Sequence, residues 1–270
     1  MAPPEKKLIS NKPDFLLDKK TLITFALGAG VMLLCVRFIS PAASTSSSAT
    51  IPKIADEQAL VSLILREELA DRHFSFAQVA TASSGKRVIP LDDRDSHRRV
   101  LRAIESAMEG SLTFINQADS PIHELRRINE ASLLFENQLI QRLQASDGMQ
   151  CEVPKTREGE MQRAGYPDIK ITDTQSGDVF YLDPKLMERG SEENTLRTFY
   201  FEPKQRSLKI LDDAVHLLVG IEHDGNDGNW SFTGWRLVDL SRLRVRMKAE
   251  FQAANADLYQ DSQFQPNQAR

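Results

Sequence analysis

Asp168, Asp183 and Lys185 are the residues whose types and spacing point most directly to chemistry. They lie within residues 165–186, GYPDIKITDTQSGDVFYLDPKL, a stretch with the pattern of a β-hairpin. Residues 166–172 alternate around Ile169 and Ile171, and residues 179–182 are β-branched and aromatic. Between them DTQSGD supplies the Asp, Ser and Gly that favour a chain reversal. Strand side chains alternate faces, so Asp183 and Lys185 share one side if the strand continues through Pro184, and the hairpin folds Asp168 back towards them. Two carboxylates and an ammonium at one rim of a sheet suit a hard divalent cation such as Mg²⁺. Such an ion accepts one or two protein carboxylates and completes its shell with water and substrate phosphate. It activates water and stabilises charge on a phosphoryl group, while a neighbouring lysine orients the water or neutralises the phosphoryl oxygens. The bland alternative is a surface hairpin with a charged end; the strand context favours a site.

The wording Leu182-Asp183-Pro184-Lys185 has a near repeat in Phe201-Glu202-Pro203-Lys204. Pairing Asp168 with Glu202 requires a much longer excursion of the chain, so Glu202 and Lys204 are expected at the end of a neighbouring strand or along a substrate groove. Glu158 and Glu160 are weaker acidic candidates in a charged loop. His223-Asp224 follows an apolar run and reads as a strand-end pair. No HExxH, GxSxG, P-loop or GxGxxG pattern is present, so zinc proteolysis, acyl transfer, NTP hydrolysis and dinucleotide binding lack motif support.

The elements that must position these groups surround the hairpin. Ser120 followed by Pro121 has the form of a helix start. Ile122, Leu125, Ile128, Leu139, Ile140 and Leu143 fall on one face of a helix running through residue 143. Glu136 sits inside that face, where a carboxylate must either meet a partner or lie at an opening; otherwise it curls out to solvent. Earlier helices are predicted over residues 54–69 and from Ser96 onward, the second with Arg98, Arg99 and Arg102 on a solvated polar side. Strands are predicted at residues 149–153, 198–201, 217–221 and 230–240, and a short helix at 211–216. Leu243, Met247 and Phe251 mark a closing helix with Arg242, Arg246 and Lys248 outside it.

The chain has 270 residues, 41% hydrophobic and 27% charged, enough for a full core and a smaller appendage. Its net charge of −4 is unevenly spread: residues 1–50 carry six basic and three acidic side chains, leaving 28 against 35 in the remainder. That balance excludes a protein that coats nucleic acid non-specifically, but not a nuclease with one basic groove. Residues 1–20 are polar and lysine-rich, and residues 21–39 form an apolar run broken only by Arg37, long enough to cross a bilayer. The preceding lysines place the N-terminus in the cytoplasm and the rest outside an inner membrane, or in the medium if the segment is a cleaved signal. Residues 40–50 are a Ser/Ala/Thr linker, 51–118 a helical region, 119–260 an α/β domain and 261–270 a disordered tail.

Pro167-Asp168 followed by Asp183-Pro184-Lys185 resembles the PD-(D/E)XK phosphodiesterases, the restriction-endonuclease-like superfamily, over roughly residues 120–258. The resemblance implies a mixed β-sheet flanked by helices, with Asp168 and Asp183 holding Mg²⁺ and Lys185 assisting water. Many members carry a glutamate on the helix before the sheet that points at the metal, and Glu136 matches that place. The implied protein is a membrane-anchored, Mg²⁺-dependent nuclease acting on DNA. Export sits awkwardly with this, since most nucleases of the superfamily work in the cytosol. The alternative is a membrane-tethered binding or scaffolding domain of the same fold, without the chemistry.

Overall fold

In the computed structural model residues 57–194, 199–226 and 228–259 are described. All belong to a unit spanning residues 54–270. The expected membrane segment at residues 21–39, its flanks 1–20 and 40–50, and the tail at 261–270 lie outside the described residues. Among the described residues no helix is long and apolar enough to cross a membrane.

The elements in order are α1 (Glu57–Ile64), α2 (Glu67–Ala70), β1 (His73–Ser75), α3 (Phe76–Ser84), β2 (Val88–Ile89), α4 (Asp95–Ile115), α5 (Ala131–Gln144), β3 (Met149–Glu152), β4 (Ile169–Asp173), β5 (Val179–Glu188), β6 (Ala214–His223), β7 (Phe232–Asp239), β8 (Arg244–Arg246) and α6 (Asn255–Tyr259). A mixed sheet runs β2-β6-β5-β4-β3, with β7 also on β6. β5 pairs in parallel with β6 and antiparallel with β4, so the hairpin forms as its alternation predicts. β1 and β8 form a separate antiparallel ribbon.

The strand pleat divides the interior in two. Phe180 and Leu182 of β5 and Val215, Leu217, Val219 and Ile221 of β6 face α4 and α5, against Val100, Ile104, Phe135 and Leu139. Tyr181 of β5 and Leu218 of β6 face the other way, onto a second cluster of Phe76, Ala80, Tyr166, Leu208, Ile210 and Leu240. α4, expected in a helical region ahead of the α/β domain, therefore packs into that domain's own core.

Several elements differ from expectation. Ser120 caps as predicted, its hydroxyl accepting from the Ile122 N–H, but the helix it opens is a single 3-10 turn at Pro121–Glu124. The chain is extended at Leu125, and α5 starts only at Ala131, so the wheel over residues 122–143 joined two separate segments. The helix expected over 54–69 breaks between α1 and α2. The helix expected at 211–216 is instead the approach and start of β6, because parallel pairing to β5 and β2 outweighs local propensity. Residues 199–201 form no strand; Phe199 and Phe201 set their rings edgewise against Phe76 and Tyr166. The closing helix is β8, since Leu243, Arg244, Val245 and Arg246 also alternate with period two and β1 supplies a partner strand.

The polar side of α4 is not simply solvated. Arg98 pairs with Asp95, but Arg99 reaches the hairpin, with guanidinium nitrogens 2.5 and 3.2 Å from the Asp173 carboxylate. Asp173 is fully buried at the turn and also accepts from the Ser176 hydroxyl at 2.7 Å. The Arg99 hydrogen bond, opposed by burial and helped by Ser176, holds its carboxyl below the usual range. This clamp fixes the turn and with it the register of the two strands. Replacing Arg99 with Leu leaves the Asp173 carboxylate buried and unpaired, and is expected to cost about 3–5 kcal/mol in urea unfolding. A Lys at the same position should recover part of that loss.

Candidate active site

The β4–β5 register brings the carboxylates together. Ile169 is the first residue of β4 and lies opposite Leu182, so one step outside the ladder Asp168 falls opposite Asp183. Directly opposed residues of an antiparallel pair share a face. The ladder stops there because Pro167 has no N–H to donate. β5 continues through Pro184, paired on its other side to β6, so Lys185 returns to the face of Asp183. That face is the one that holds Tyr181 and the second apolar cluster.

The resulting triad is close. The Lys185 ammonium lies 2.6 Å from Asp183 Oδ2 and 3.5 Å from Asp168 Oδ2, and it donates to the Pro184 carbonyl at 3.3 Å. Asp183 is only 2% exposed. Its Oδ2 is buried with no aligned hydrogen-bond donor, because the ammonium is near it but poorly directed. Burial first, and the Asp168 charge second, push the Asp183 carboxyl up to about 7, against the opposing pull of Lys185. Burial works to lower the Lys185 ammonium, but the charges of Asp183 and Asp168 outweigh it and the net shift is upward. One lysine therefore does not neutralise two carboxylates at this depth, and the pair retains affinity for a proton or a further cation.

Glu136 of α5 reaches the same neighbourhood. Burial and then the Asp168 charge raise its carboxyl, opposed by Arg163, Lys185 and Lys209. Its partner is Arg163, at 3.4 Å, whose other nitrogen donates to Asn137 Oδ1 at 3.0 Å. Among the described residues no three His, Cys, Asp or Glu side chains converge to hold one ion, so Asp168, Asp183 and Glu136 are not assembled as a three-carboxylate cage. The donor set still fits a hard divalent cation, since Mg²⁺ is often held by one or two carboxylates and substrate phosphates. The unaligned Asp183 Oδ2 and the raised affinity of the pair for positive charge support that fit.

Lys209 belongs to this site and carries no local motif. It sits between the buried Leu208 and Ile210, is 1% exposed, and donates to the carbonyls of Gln162 and Arg163 at 3.2 and 3.4 Å. Burial lowers its ammonium, against the charges of Asp168, Asp183 and Glu136. It thus anchors the 162–163 segment, whose Arg163 side chain meets Glu136, and places positive charge near the carboxylate pair. The signal in sequence was faint: a lone cation inside an apolar run.

The remaining candidates lie elsewhere. Glu202 and Lys204 pair with each other at 2.8 Å in solvent, and Glu158 pairs with Arg206. His223 alternates onto the α4–α5 face, opposite to Asp183, with its Nδ1 accepting from the Gly225 N–H. Behind the site, Tyr166 is bonded to His216 Nδ1 at 2.7 Å, and His216 Nε2 is buried without a partner. Tyr181 donates to Asp212, which also pairs with Lys170.

A family model described as the type II restriction enzyme MjaV family matches residues 69–262. The type II restriction enzyme MjaV of Methanocaldococcus jannaschii is 27% identical over 208 residues, covering 73% of this chain and 90% of that protein. No solved structure matches the chain.

Two measurements test this electrostatic picture. Because the Asp183 carboxyl is raised above its unfolded value, its ionisation opposes folding above pH ~4. In EDTA at pH 8, Asp183→Asn is expected to stabilise the protein by on the order of 2 kcal/mol, a gain that disappears as pH falls towards 4. Mg²⁺ should raise the melting temperature of the wild type more than that of the variant. Burial, opposed by Asp239, depresses His216 from 6.5 to about 3. The unfolded chain alone then binds this proton between those values, so stability is lost as pH falls, by up to ~1.4 kcal/mol per unit. His216→Gln keeps an acceptor for Tyr166 and is expected to flatten the slope.

Proposed function

Because the chain belongs to the type II restriction enzyme MjaV family, matched over residues 69–262, we propose that it is a nuclease that hydrolyses phosphodiester bonds of duplex DNA. The observation that supports this most is the register that sets Asp168 opposite Asp183 with Lys185 on the same face. The pattern is that of the PD-(D/E)XK phosphodiesterases.

Asp168 and Asp183 would hold Mg²⁺, with Glu136 adding a ligand or a contact through water. A divalent cation there supplies Lewis acidity and neutralises charge on the phosphoryl oxygens. The chain's own groups do the rest. Lys185, fixed between the two carboxylates, would act as a point charge beside the attacking water or the phosphoryl oxygens. Lys209 adds positive potential from below and keeps the Glu136 side of the site in place. Water adds across the P–O bond, and the site separates a phosphate end from a hydroxyl end. Residues 21–39 would tether this domain to an inner membrane with the catalytic part outside the cytoplasm. That placement rests on the apolar pattern and the lysines before it alone, and an export reporter fused after residue 50 tests it.

Incubating the full chain with duplex DNA in Mg²⁺ or EDTA tests the activity. Cleavage is expected in Mg²⁺ only, with Asp168→Asn, Asp183→Asn and Lys185→Ala each reducing the rate by roughly 10²-fold or more. Glu202→Gln, outside the cluster, should cleave as the wild type does. A wild type that neither cleaves DNA nor binds Mg²⁺ by calorimetry would leave the scaffolding alternative.

A further inference from the structure

The β1–β8 ribbon lies outside the main sheet and has a sharply two-sided composition. In its register His73 lies opposite Arg246, Phe74 opposite Val245 and Ser75 opposite Arg244. Opposed residues share a face, so Phe74 and Val245 turn one way while His73, Ser75, Arg244 and Arg246 turn the other. Val245 and Leu243 pack on the second apolar cluster, whereas Arg244 and Arg246 are exposed, as are Arg242 just before them and Lys248 just after. Cations thus recur at every second position, from Arg242 to Lys248, in a chain whose net charge is −4.

Most of this charge is left unneutralised. Among the described residues no carboxylate pairs with Arg242, Arg244 or Arg246, although Lys248 pairs with Glu250. Arg87, Arg98, Arg206 and Arg236 each have a carboxylate partner, but the exposed Arg102 and Arg189 also lack one among these residues, so what distinguishes the ribbon is the run of cations at alternate positions. The ribbon is also firmly based: the Arg244 guanidinium donates to the His73 carbonyl at 2.6 Å, and the Phe76 N–H donates to the Leu243 carbonyl at 2.9 Å. Arg242 closes the 3-10 turn Leu240–Arg242 just before β8 and Lys248 follows it, while within β8 the alternate residues Arg244 and Arg246 stand ~6.6 Å apart. That is about twice the ~3.4 Å axial step between phosphates of one DNA strand.

The ribbon's position connects it to the site. The apolar cluster beneath Leu243 and Val245 includes Tyr166 and Tyr181, which lie on the sheet face that carries Asp183 and Lys185. Phe76, which continues β1 into α3, sets its ring 5.6 Å from that of Tyr166, two residues before Asp168.

We propose that the outward face of the β1–β8 ribbon, with Arg242, Arg244, Arg246 and Lys248, is a duplex-DNA docking surface that grips the phosphate backbone and presents the strand to the Asp168–Asp183 site. This rests on the nuclease reading for its substrate, but it assigns the grip to an element that has no catalytic group. Contacts to phosphate position a duplex without reading its sequence, so the surface contributes affinity and register equally for all sequences.

The test is binding of the full chain to a labelled DNA duplex in EDTA, by fluorescence anisotropy across a salt series. Arg242→Ala and Arg246→Ala are the variants, since Arg244 also holds the ribbon through His73. Each is expected to lower the slope of log affinity against log salt by about one, and the pair to weaken binding roughly tenfold or more at moderate salt. Arg242→Lys with Arg246→Lys keeps the charge and should restore the slope. An unchanged slope in the double alanine variant overturns the proposal. So does binding to anionic phospholipid vesicles without binding to the duplex, or a lysine variant as weak as the alanine one. Binding in EDTA is independent of catalysis. A wild type that fails to cleave while the ribbon variants still lose slope would overturn the nuclease reading and leave the surface standing.

Discussion

Strand register places Asp168 directly opposite Asp183 where the β4–β5 ladder ends, and the repulsion between those two carboxylates conditions everything around them. Two like charges at this depth are unfavourable unless positive charge is brought to them, because the interior screens them poorly. The chain answers with Lys185 on the same strand face and Lys209 from a distant segment. Neither neutralises the pair completely, so the site keeps an affinity for a cation. Two carboxylates left short of positive charge in this way cost stability locally.

The register in turn depends on a contact far from the carboxylates. Arg99 on α4 and Ser176 in the turn hold Asp173, and this buried clamp prevents the hairpin from slipping. A one-residue slip would turn Asp183 and Lys185 into the α4–α5 core and Leu182 out of it. Hydrophobic burial of Phe180 and Leu182 on one face and of Tyr181 on the other makes the same demand. The position of Asp168, Asp183 and Lys185 is thus the consequence of two independent constraints, one ionic and one apolar.

The two faces of the sheet divide the labour. Apart from the Arg99–Asp173 clamp the α4–α5 side is mainly apolar, whereas the other side carries the carboxylates, Lys185 and Lys209, the Tyr166–His216 and Tyr181–Asp212 pairs, and the foot of the β1–β8 ribbon. Fixed polar pairs beneath a site limit the movement of its reacting groups.

The hairpin, its turn and the sharing of a face by Asp183 and Lys185 were determined by sequence alone. Period-two alternation and turn residues act over a few positions and leave little for distant contacts to change. The apolar run at residues 217–221 likewise had to be a buried strand. Tertiary structure decided the rest. Lys209 has no local pattern, because its role depends on carbonyls at 162 and 163 and on carboxylates at 136, 168 and 183. Leu243, Met247 and Phe251 have the spacing of a helix, but the segment becomes a strand because β1, from the far end of the described chain, offers its edge. The face through Ile122 and Leu143 looked continuous on a wheel, but Leu125 is extended and the helix begins only at Ala131. Local chemistry sets which residues alternate; which partner they meet is a long-range choice, made by the burial and pairing of segments far apart in the chain.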